Sequence, residues 1–154
     1  MRSSLLKNIL AAVLGYVVMF AVAFVLFSLM WAVLGADGSF EPSSWDVSGA
    51  WIGVSLVFGA TVSAVGGFTC SKLAANRQGV AILIGLVLVL GIVAAMPDAA
   101  TVGARLDDVS MFDAMSSARQ PAWLRWISPV IGVAAVVFGA RLEARRSGNR
   151  TTLS

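Results

Sequence analysis

A membrane-embedded active site needs an ionisable or nucleophilic side chain inside an apolar run, and this sequence offers few. Histidine is absent from all 154 residues, which removes imidazole acid–base chemistry and the commonest metal ligand. The one cysteine, Cys70, has no CxxC partner and can form no intrachain disulfide, so it reads as a small apolar filler. Gly66-Gly67 lies inside an apolar run rather than after a strand, and so is no phosphate-binding loop. What remains are hydroxyls: Tyr16, Ser55, Thr61, Ser63, Thr69 and Ser128. Such groups can line a path for a small neutral or lipid-like solute, or they can bridge helices. Neither role breaks bonds, and the expectation is a non-enzymatic protein without cofactor or metal.

A second pattern concerns packing. In "SLVFGATVSAVGGFTCS" (residues 55–71) a small residue recurs at every fourth position: Ser55, Gly59, Ser63, Gly67 and Ser71. Lipid tails are as apolar as leucine, so helices in a bilayer associate through close packing, which small residues permit. Each step of four turns the row by ~40° about the helix axis. One neighbour can therefore cover Gly59, Ser63 and Gly67, while the end serines meet other helices or their own carbonyls. Ser128, Gly132, Ala135 and Gly139 form a matching surface later in the chain. The preferred arrangement packs these two segments together within one chain, and a homodimer through the first segment is the alternative.

The elements that carry these residues follow from hydropathy. Apolar residues make up 58% of the chain and charged residues only 12%, against roughly a quarter charged in a typical soluble domain. A chain this short cannot bury so much apolar surface in water. Mean hydropathy is +0.88. A bilayer core of ~30 Å takes ~20 apolar residues as a helix. Four spans are expected, at about 9–34, 50–75, 80–96 and 122–140, in a single membrane domain covering residues 1–154. The first run is too long for a signal-peptide core of ~7–15 residues and reads as a retained span. Pro97 ends the third. The fourth includes Arg125, expected to snorkel towards the headgroups, and Pro129, expected to be harmless near the helix start. Val109, Phe112 and Met115 in the long outer loop suggest a short interfacial helix, with Asp107 and Asp108 as caps. The fold class is thus an all-α, polytopic bundle of four transmembrane helices.

Charge sets the orientation. With both termini cytoplasmic, the inner segments hold Arg2, Lys7, Lys72, Arg77, Arg141, Arg145, Arg146 and Arg150, and the outer ones only Arg105, Arg119 and Arg125. That satisfies the positive-inside rule. The acids Asp37, Glu41, Asp46, Asp98, Asp107, Asp108 and Asp113 all fall outside. Trp31, Trp45, Trp51, Trp123 and Trp126 lie near the outer boundary, where indole anchors helix ends. The pI near 9.8 does not signal nucleic acid, because net charge is only +3 and the basic residues flank apolar runs.

"GYVVM" (15–19), "GSFEPSSW" (38–45) and "SLVFG" with the following "GG" (55–67) resemble a group of uncharacterised small four-span bacterial integral membrane proteins. The resemblance covers about the first half of the chain, and implies an inner-membrane location but no activity. Better-known four-span families fit poorly. Small multidrug exporters need a glutamate in the first span, vitamin K epoxide reductase relatives need cysteine pairs, and membrane glutathione-transferase relatives need intramembrane Arg, Glu and Asn. The expected partners are membrane lipid, a second copy or another membrane protein, met through the helices and the acidic outer loops. The alternative is a passive pore or carrier for a small neutral or lipid-like solute.

Overall fold

Apolar residues without interruption from Ile9 to Leu34 favour a helix that satisfies its own backbone in lipid. The helix α1 (Arg2–Ser39) contains this run and extends beyond it at both ends. Hydropathy marks the lipid-facing stretch, whereas the helix continues through the polar flank of Ser3, Ser4 and Lys7. At Gly35 the backbone leaves the helix, with φ 61° and ψ −169°, a region essentially open only to glycine. One further turn follows, to Ser39. The structure, a computed structural model, describes residues 2–96 and 110–151.

Helix α2 (Gly49–Leu73) starts at an N-cap, Ser48, whose Oγ accepts from Trp51 N at 3.2 Å. Helix α3 (Arg77–Ala95) starts at Asn76, whose Oδ1 accepts from Gln78 N at 2.9 Å. It stops just before Pro97, as the missing amide hydrogen requires. A short helix, α4 (Met111–Ser117), occupies the outer connection, and α5 (Ala122–Thr151) closes the chain. Helix α5 runs well past the expected end at Ala140, because its charged tail remains helical outside the apolar stretch. The cap of α4 is Ser110, whose Oγ accepts from Asp113 N. Asp107 and Asp108, the expected caps, lie outside the described residues.

The four long helices are each apolar and long enough to cross a membrane. The protein is an all-α four-helix bundle with membrane-spanning character. Helix α2 is its hub, packing on α5, α1 and α3, while α3 also touches α1 and α5. The main core joins Ala11, Ala12 and Met19 of α1 to Val62 and Cys70 of α2, Leu83 of α3 and Val136 of α5. Large side chains such as Phe20, Val33 and Val57 point outward, at 69%, 83% and 64% exposure. In water that surface would be a liability; in lipid it is the solvated face.

A second core sits where the connection between α1 and α2 meets α4. Phe40, Val47 and Ala114 are buried there, with Trp31, Trp45 and Trp51 packed against them. Phe40 meets Trp45 edge to face at 5.6 Å between centroids. The connection after α1 is therefore a structured cap, not an open loop. Glu41 N donates to Asp46 O at 2.8 Å, Ser48 N to Ser39 O at 2.9 Å and Arg119 N to Trp45 O at 2.8 Å. Trp31, Trp45 and Trp51 are half-buried against this core, while Trp123 and Trp126 are exposed, at 55% and 57%.

Candidate functional site

The row of small residues on α2 divides into two parts. At Gly67 an added Cβ would stand 2.8 Å from Val136 Cα, and at Gly139 one would stand 2.9 Å from Ala64 Cα. Both positions bring backbone against backbone, so α2 and α5 cross at closest approach there. Ser63, 6% exposed, lies beside Gly132, whose added Cβ would be 3.6 Å from Ser63 Oγ. Ala135 is half-buried, and Val136 rather than Ala135 covers Gly67. Ser71 Oγ reaches α5 at Ala140 O, 3.5 Å away, and Ser55 Oγ returns to its own helix at Ile52 O.

Gly59 departs from the expectation of close packing. An added Cβ there would meet nothing within 4 Å. The reason is geometric. Gly59 is eight residues, about 12 Å of helix rise, from the contact at Gly67. Two straight helices that touch at one crossing point diverge on either side of it. On the outer side the gap between α2 and α5 opens instead of closing.

Two cavities occupy that gap. One, of about 360 Å³, lies among α2, α3 and α5 and reaches Tyr16 and Met19 of α1. The other, of about 520 Å³, lies among α1, α2, α4 and α5 and is walled by Phe20, Phe24, Phe27, Trp31, Phe40 and Trp51. Both are within the ~300–1,000 Å³ range of ligand pockets. They share Ser55, Leu56, Gly59, Gln120 and Ser128 as walls. The lining is mostly apolar, with Tyr16, Ser63, Gln120 and Arg125 as polar points in the smaller cavity.

The hydroxyls separate into two groups. Thr61 Oγ1 donates to Val57 O at 2.8 Å, Thr69 Oγ1 to Val65 O at 2.9 Å and Ser128 Oγ to Leu124 O at 2.6 Å. These donors, with that of Ser55, are taken by their own helices. Tyr16 and Ser63 line the smaller cavity, as Ser55 and Ser128 also do.

Arg125 lines the smaller cavity, and its Nε is buried without a hydrogen-bond partner. Pro129 stands four residues later, buried inside α5, and presses on α3, where a Cβ at Gly91 would be 2.9 Å from Pro129 Cγ. Proline has no N–H to give the Arg125 carbonyl, so this turn of α5 is held by packing against α3.

Two further contacts were not legible in the sequence. Gly66 faces α1, where a Cβ on Gly15 would be 3.0 Å from Gly66 O and 2.9 Å from Cys70 Cβ. Adjacent residues on a helix point ~100° apart, so the Gly66-Gly67 pair serves two neighbours at once. Asn8 is fully buried and ties α1 to the turn between α2 and α3. Its Oδ1 accepts from Ala75 N at 3.0 Å, and its Nδ2 donates to Asn76 Oδ1 at 2.8 Å. A lone polar residue at the margin of an apolar run was the available signal for Asn8. Nothing in the spacing of Gly15 announced its partner.

Comparison of the chain with family models, with curated proteins and with solved structures yields no match.

Proposed function

We propose that this is a non-enzymatic, multi-pass protein of a bacterial inner membrane that binds a membrane lipid in the outer half of its bundle. It is of the accessory type, and its acidic outer loops are the surface through which it meets a second copy or another membrane protein. Both termini lie in the cytoplasm, as the basic flanks of the spans require. The observation that carries this reading is the pair of adjoining apolar cavities opened by Gly59. Their aromatic and aliphatic walls suit a lipid chain, and no group for nucleophilic or acid–base chemistry is needed for that task.

Lipid retention tests it. Protein extracted in mild detergent is expected to carry lipid visible by native mass spectrometry. Gly59→Leu places a side chain in both cavities without a backbone clash, so it should lower retention while leaving the fold intact. Equal retention by a folded Gly59→Leu protein would contradict the reading.

Tyr16 and Ser63, whose hydroxyls line the smaller cavity, favour a second reading: a passive carrier or pore for a small neutral or lipid-like solute. The hydroxyls of Ser55, Thr61, Thr69 and Ser128 weigh against a continuous polar path, because each donates to its own helix. Solute efflux from proteoliposomes separates the two readings.

A further inference from the structure

We infer that the mouth of the smaller cavity, at Arg125 and Gln120, selects a phospholipid with an anionic headgroup; this rests on the lipid-binding reading above. Arg125 is the one charged residue lining either cavity among the described residues. A cationic group at membrane depth is costly unless an anion or water meets it. The Arg125 Nε is buried and has no hydrogen-bond partner.

Depth agrees with the headgroup assignment. Arg125 lies in the first turn of α5, between Trp123 and Trp126, both more than half exposed. Tryptophan on the lipid face marks the interfacial zone. A phospholipid phosphate sits at that level, while its acyl chain extends inward along apolar surface. The guanidinium offers a planar fork of donors that matches phosphate oxygens, and Gln120 adds an amide at the same mouth. Towards the bundle, the walls shared with the larger cavity lead to Phe20, Phe24 and Phe27, surfaces for a chain and not for a charge. Basic pockets between transmembrane helices are a recurring means of recognising acidic lipid headgroups.

The test compares phosphatidylglycerol with phosphatidylcholine of identical chains, added to the delipidated full-length protein in mild detergent and read by native mass spectrometry. The parent should prefer phosphatidylglycerol by about tenfold, the effect of one charge-assisted contact. Arg125→Gln should lose the preference yet still hold phosphatidylcholine, and Arg141→Gln, an exposed arginine of α5 remote from the cavity, should keep it. If Arg125→Gln does not fold, Arg125→Lys is the second variant; it keeps the charge and should retain a reduced preference. A parent without preference, an Arg141→Gln protein that loses it equally, or a folded Arg125→Lys protein with none would overturn the headgroup assignment and leave lipid binding standing. A parent that retains neither lipid overturns both.

Discussion

At the scale of single residues, Asn8 of α1 stabilises the turn between α2 and α3. Its buried amide accepts from Ala75 N–H and donates to Asn76 Oδ1. Asn8→Ala should lower stability by about 1 kcal/mol, the net worth of the hydrogen bonds lost, measured by melting in detergent. A melt equal to the parent's would mean that water replaces the amide. Ser63→Ala should cost little, ~0.6 kcal/mol on average for hydroxyls between membrane helices, because Ser63 faces a cavity. The packing residues were legible in part. The spacing of Gly67, Gly132 and Gly139 pointed to the contact between α2 and α5, since small residues one turn apart carry that information locally. Gly59 has the same spacing but lies beyond the crossing point. Where two helices diverge depends on their crossing, and one helix's sequence does not encode it. That Arg125 lines a cavity was not legible either, because the space between helices depends on how they pack.

At the scale of elements, the spans were legible because hydropathy and proline act locally. The cap was not, since Phe40 and Val47 of the α1–α2 connection meet Ala114 of α4, far away in the chain, and carry no shared period. Its hinge is Gly35. No atom crowds that position, so a substitution there acts through the backbone alone. Gly35→Ala should destabilise the cap by about 1–3 kcal/mol, the strain of a non-glycine residue at such angles. Trp45 lies against Phe40, so its fluorescence is expected to shift towards the solvent-exposed limit at lower temperature in the variant than in the parent. Unchanged fluorescence and melting would show that the chain turns at this point without needing glycine.

At the scale of the whole molecule, the orientation follows from charge and can be read by labelling. In a Cys70→Ala background, Glu41→Cys on the exposed outer connection should react with an impermeant maleimide in intact cells, and Ser147→Cys should not. The opposite pattern would invert the bundle and place the cavity mouth in the inner leaflet. Ser39 would be a poor reporter, being 1% exposed. One row of small residues closes the bundle at Gly67 and opens it at Gly59. Detergent melting of Gly59→Leu and Gly67→Leu, with the outward-facing Val57→Leu as control, tests this directly. Gly67→Leu must drive α2 from the α5 backbone and should lose ~1–3 kcal/mol or more. Gly59→Leu and Val57→Leu should melt close to the parent. If Gly59→Leu melts as low as Gly67→Leu, the helices are in contact along the whole row and the cavity does not exist in the membrane.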